Sequence, residues 1–192
     1  MIFSDLAIKA LIAEDLFRIS PFAEENIRPA SICLLLGEEL IIHAPPQGPI
    51  DLIDTTTFPT ANNYRISDTQ TYTLLPKQFI LGITKERIGL SKSISGHISN
   101  ISGLARLGLT VALSTHVCPG FGEKNPRPLT LEIINHCEFP IILRAGLRIC
   151  HLLLSPTEPT SLNGYDEMFP GKYTSTGAGL SEYAAQEFQV RG

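Results

Sequence analysis

The chain has 192 residues, 43% of them hydrophobic, and a formal net charge of −4 at pH 7. This length suits one domain, residues 1–192, that buries its own core without disulfides or a structural metal, and the composition is that of a soluble globular protein. The 15 basic residues are scattered and outnumbered by 19 acidic ones, which argues against a nucleic acid polymer and leaves a small ligand as the expected partner.

Asp5, Lys9, Glu14 and Asp15 interrupt the first 16 residues, so these form neither a signal peptide nor a membrane span, and a cytoplasmic protein without a membrane partner is expected. The same stretch predicts a helix. Ser4 is a candidate N-cap, Asp5 suits the positive end of the dipole, and Ala7, Leu11 and Glu14 alternate with Ile8, Ile12 and Leu16 at a helical period. Pro21 ends that unit, and Pro29 holds the residues before it extended. Residues 32–36 and 40–43 read as two strands turned at Gly37, a short hairpin. Residues 44–73, broken by Pro45, Pro46, Pro49 and Pro59, read as an exposed excursion with at most short strands. Apolar runs at 79–84, 86–90, 109–113, 129–134, 141–143 and 147–154 predict further strands. Many short strands and one clear helix predict a mainly β sandwich or barrel, with no solenoid repeat. After Ser155 the chain turns rich in Pro, Ser, Thr and Gly and reads as loop, with a short helix possible at 182–188.

Cys33, Cys118, Cys137 and Cys150 are widely spaced without a C-x-x-C, as reduced thiols are, and no disulfide is expected. Three His/Cys neighbours, His116-x-Cys118, His136-Cys137 and Cys150-His151, raise zinc as a possibility. Adjacent strand residues point to opposite faces, so Cys150 and His151 are poorly placed to share one ion. The stretch that gathers chemistry is 102–132. It carries the hydroxyl of Ser102, the guanidinium of Arg106 and the carboxylate of Glu132 in one β-rich segment, around the turn Val117-Cys118-Pro119-Gly120-Phe121.

Taken together, Ser102 with Leu104-Ala105-Arg106-Leu107-Gly108-Leu109, His116-x-x-Pro119-Gly120-Phe121, Leu131-Glu132 followed by Asn135, and residues 140–146 resemble the dCTP deaminase branch of the dUTPase superfamily. Flanking matches are Pro29-Ala30-Ser31, Leu36-Gly37, Phe79-Ile80-Leu81-Gly82-x-Thr84-x-Glu86 and Gly171-Lys172-Tyr173; residues 49–63 are not covered. The resemblance implies a distorted β-barrel of the dUTPase-like type, a homotrimer with sites at subunit boundaries, and a C-terminal segment, 155–192, that closes over the site. It also implies hydrolytic deamination of a deoxycytidine nucleotide, dCTP to dUTP and ammonia, with Mg²⁺ carried on the phosphates and no zinc. The sequence lacks the H-x-E and P-C-x-x-C of zinc deaminases.

By the same resemblance, Glu132 would carry protons between water and the leaving ammonia. Flanked by Leu131 and Ile133, its carboxylate would be partly desolvated if it faces a pocket, which suits a proton carrier. Ser102 would hydrogen-bond the water or the tetrahedral centre, and Arg106 would supply fixed positive charge. Thr115 falls where the family's backbone meets the base, and Tyr165, Lys172 and Thr176 correspond to residues that close over the nucleotide. Each also has a structural reading: Ser102 in a turn, Arg106 in an ion pair, Glu132 on a solvated strand face.

The chain departs from the family pattern at several positions. Ile101 stands where an arginine is usual, Cys118 in place of the turn aspartate, Gly103 for a second serine, Ala112 for a histidine and Val117 for a basic residue. Cys33 and Leu35 replace an early aspartate and arginine. Loss of the aspartate associated with diphosphate hydrolysis argues against dUTPase activity. The lost cations leave open a second reading, a catalytically silent trimeric relative that binds a nucleotide or a protein partner.

Overall fold

The computed structural model describes residues 1–171. Its elements are α1 (Asp5–Ala13), β1 (Phe17–Ser20), β2 (Ile27–Arg28), β3 (Ser31–His43), β4 (Ala61–Arg65), β5 (Tyr72–Leu74), β6 (Phe79–Leu90), β7 (Ile94–Asn100), α2 (Ser102–Arg106), β8 (Leu109–Thr110), β9 (His116–Val117), β10 (Arg127–Asn135), β11 (Ile141–Leu143), β12 (Arg148–Pro156) and α3 (Tyr165–Met168). Ten strands form one sheet along the path β8, β10, β6, β3, β12, β7, β9, with β1, β2 and β4 joined to its sides, while β11 and β5 pair separately. This is a mainly β architecture with an N-terminal helix, as the strand pattern predicts, and its curled sheet is the distorted barrel that the resemblance implies.

Helix α1 starts as expected, with the Ser4 hydroxyl accepting the Ala7 amide. Its buried face is Ile8 and Leu11, and the Phe3 amide donates to the Leu154 carbonyl at 2.9 Å, which pins the N-terminus to β12. Apart from Phe17 the enclosed core is largely aliphatic, with Leu34, Leu36, Ile80, Ile88, Leu131, Ile133 and Leu152 among its fully buried residues.

The expected hairpin at Gly37 is instead one 13-residue strand, β3. Its first half pairs with β12, Leu36, Leu40 and Ile41 pair with β6, and residues 39–43 pair with β4. The register against β6 shifts between Leu36 and Leu40, so the chain bulges without reversing. Gly37 is there for proximity: a Cβ would lie 2.9 Å from Ile83 Cγ1 and 3.0 Å from the Ile83 carbonyl oxygen. Likewise the runs at 79–84 and 86–90 form one strand, β6, and the run at 109–113 pairs only over Leu109–Thr110. The strand β7 was not predicted, since its sequence, Ile-Ser-Gly-His-Ile-Ser-Asn, has few apolar residues.

Two polar side chains lie in the core of β6. Thr84 Oγ1 accepts the Leu129 amide at 2.9 Å and donates to the Glu86 carbonyl at 2.7 Å. Glu86, 2% exposed, accepts the Leu35 amide through Oε2 at 2.9 Å. Both flanking strands shift register near here, β10 between Pro128 and Thr130 and β3 between Leu36 and Leu40. The Thr84-x-Glu86 pair therefore satisfies amides that the ladders leave unpaired, which is why polar groups are tolerated at this depth.

All four cysteines are free thiols. Cys150 is fully buried, and burial pushes its thiol well above the usual range. His151 is half-buried and stands 3.3 Å from the Ser31 hydroxyl, so neighbours 150 and 151 do occupy opposite faces. Among the described residues no helix is long and apolar enough to cross a membrane.

Candidate active site

Strand β10 alternates cleanly: Arg127, Leu129, Leu131, Ile133 and Asn135 turn inward, while Pro128, Thr130, Glu132 and Ile134 are half-covered on the opposite face. Pairing sets Glu132 beside Leu81 of β6, and Leu81 beside Ile41 of β3. The carboxylate thus stands at the end of an apolar row. Glu132 Oε2 accepts the backbone amides of Leu113 at 3.1 Å and Ser114 at 3.2 Å. Two peptide donors on one oxygen fix the side chain's direction, and the other oxygen has no hydrogen-bond partner among the described residues.

Those two amides belong to the connection between β8 and β9. Its start is held by Asn100 Oδ1, which accepts the Val111 amide at 2.9 Å, and its end by the Thr115 carbonyl, which accepts the Ile98 amide at 2.8 Å. Thr115 is half-buried one residue beyond the Glu132 contact.

Ser102 and Arg106 lie on α2, not within a strand. Leu, Ala and Arg favour helix, and the Ala105 amide closes the turn on the Ile101 carbonyl at 2.9 Å. At i and i+4 the two residues share one helix face. Both are exposed, whereas Leu104 packs on the core. Among the described residues neither side chain makes a hydrogen bond or ion pair, and neither is bonded to Glu132. Leu107, next after Arg106 in sequence, and Leu113, whose amide meets Glu132, are 54% and 58% exposed.

Tyr165 is held against the central turn. Its amide donates to the Pro119 carbonyl at 2.8 Å, and its ring tilts against Phe121 at 6.0 Å and Phe169 at 5.2 Å. Gly120, at φ +78°, is crossed so closely that a Cβ would lie 2.5 Å from Gly164 Cα. Asp166 receives both terminal nitrogens of Arg127, at 2.7 and 3.1 Å. Lys172 and Thr176, the proposed helix at 182–188 and Tyr173 lie outside the described residues. Sequence reading missed Asn100, Arg127 and Asp166. An arginine at an inward strand position is the signal that marks Arg127.

Residues 2–157 match the family model described as dCTP deaminase-like. The chain belongs to that family. Relatives named "dCTP deaminase, dUMP-forming" include those of Sulfurihydrogenibium sp. (strain YO3AOP1), 34% identical over 92% of this chain and 95% of the relative, and Methanoregula boonei, 34% identical over 95% and 97%. A relative from Rhodospirillum rubrum, named "dCTP deaminase", is 31% identical over 80% of this chain and 84% of its own. The crystal structure of 2'-deoxycytidine 5'-triphosphate deaminase from Agrobacterium tumefaciens superposes with a TM-score of 0.60 at 25% identity, covering 80% of this chain and 46% of that longer one. The deaminase-like family thus accounts for both the barrel and the order of motifs read from the sequence.

Proposed function

We propose that the chain hydrolyses the 4-amino group of a deoxycytidine nucleotide, converting dCTP to dUTP and ammonia without zinc, with residues 155–192 closing over the site of a single domain, 1–192. The observation that carries this reading is Glu132, oriented by the Leu113 and Ser114 amides, with a second oxygen that has no hydrogen-bond partner among the described residues. As water oxygen adds to C4, that carboxylate takes a water proton and delivers it to N3, which leaves Glu132 free to carry the next one. The remaining hydroxyl proton then passes by way of Glu132 to the amino nitrogen, the C4–N bond breaks, and ammonia leaves. Ser102 hydrogen-bonds the adduct, Arg106 compensates negative charge, Thr115 lies where the base is held, and Tyr165, Lys172 and Thr176 cover the nucleotide.

Ser102 and Arg106, exposed and without a side-chain partner among the described residues, together with the exposed Leu107 and Leu113, support a homotrimer in which a neighbouring subunit completes each site. Mg²⁺ dehydrates reluctantly and is commonly held through substrate phosphates, so it would arrive bound to the nucleotide. When bound there it would neutralise phosphate charge. Cys118 at the turn supports dUTP rather than dUMP as the product, because a thiol there offers no carboxylate to activate water for diphosphate cleavage. The test is incubation with dCTP and Mg²⁺, measuring ammonia and resolving dUTP from dUMP chromatographically. Ammonia with dUTP is expected. Nucleotide binding without ammonia would favour the silent relative, and dUMP would overturn the product assignment.

A further inference from the structure

The Arg127 side chain is only 9% exposed, lies with its guanidinium carbon 4.2 Å from the Phe121 ring centroid, and meets the Asp166 carboxylate in a two-bond fork. Its Nε is buried without a hydrogen-bond partner among the described residues. Asp166 is therefore the charge that compensates a guanidinium otherwise enclosed by protein. Lifting Asp166 away would strand that cation, so this contact resists opening far more than an exposed ion pair does. The neighbouring Lys92 to Glu167 contact, at 3.5 Å between exposed side chains, cannot serve in its place.

Asp166 follows Tyr165 directly, at the start of α3, and the same short segment is joined to the turn by the Tyr165 amide and the Gly120 to Gly164 crossing. We propose that the Arg127–Asp166 pair is a positioning device: it fixes the Tyr165 ring, and the point from which the chain leaves residue 171, relative to the nucleotide site. The inference rests on the deaminase reading for its consequence in catalysis. Arg127 and Asp166 act through Tyr165 without touching the reacting atoms. If Asp166→Ala leaves the docked conformer populated about a tenth of the time, the apparent nucleotide affinity falls about tenfold while the chemical step in the closed complex is preserved.

The test uses the full chain and two variants, Asp166→Ala and Asp166→Asn, read by amide hydrogen exchange and by ammonia release against dCTP concentration. Expected are exchange about tenfold faster over residues 163–169 with β6 unchanged, KM raised about tenfold, and kcat within about twofold, with the Asn variant intermediate. Unchanged exchange overturns the proposal. So does faster exchange with unaltered KM, or a fall in kcat and thermal stability without a change in KM, which is the mark of a merely structural bond. A wild-type chain that neither binds dCTP nor releases ammonia refutes the deaminase reading instead; the hold of the pair on residues 163–169 is then decided by exchange alone.

Discussion

Peptide amides, not another side chain, aim Glu132. Glu132→Gln keeps an oxygen for those amides and removes the proton carrier, so ammonia release should vanish while nucleotide affinity stays within about tenfold. Isotherms for dCTP beside turnover measurements check this; equal turnover would refute the assignment. Ile101 sits at the N-cap of α2 without a side-chain cap bond, one residue before Ser102. Ile101→Arg should tighten dCTP binding by about 1.5 to 3 kcal/mol if the added guanidinium reaches the phosphates, whereas unchanged affinity would point to a ligand other than a triphosphate. Ser102, Arg106 and Glu132 stand out as candidates in the sequence because their spacing is local and their chemistry unusual for the segment. Arg127 is marked in sequence by its inward strand position, but its meaning was not legible, because that depends on a partner 39 residues away that no periodicity announces.

At the level of elements, β6 depends on two buried polar groups. Thr84→Val keeps the shape but leaves the Leu129 amide unpaired, and should cost about 1 to 3 kcal/mol in urea unfolding. Burial raises the Glu86 carboxyl above its ordinary value of 4.5, opposed by the Leu35 amide. The folded chain then holds this proton at pH values where the unfolded chain has lost it, so stability falls as pH rises from 4.5 through the raised value. Glu86→Gln should remove that part of the pH dependence, giving a stability advantage that grows across the same window; an advantage independent of pH would contradict the account. Strands rich in Ile and Leu were legible from their pattern. Gly37 was misread because a glycine that admits a close neighbour looks, in sequence, like one that turns the chain, and α2 was missed because a single helical turn is too short to show a period.

For the whole molecule, the mainly β class followed from many short apolar runs and the barrel from the family resemblance, but the path β8, β10, β6, β3, β12, β7, β9 joins strands far apart in sequence and is not written in any one of them. Assembly is likewise non-local. A homotrimer should appear in light scattering at micromolar concentration; a monomer would remove the neighbouring subunit from the proposed site. The β6 irregularity has one more consequence, for how lengths can vary. Between the pairs Pro128↔Arg87 and Thr130↔Ile83, β10 advances two residues while β6 advances four, so the excess on β6 is an even number. Because strand faces alternate, an even excess preserves which residues look outward and an odd one exchanges them. Deleting Lys85 alone should therefore turn one half of β6 inside out and abolish folding. Deleting Lys85 and Glu86 together should keep Glu132 on its outer face and leave a folded chain, weakened chiefly by the unpaired Leu35 amide, a contrast that circular dichroism of the two deletions would reveal.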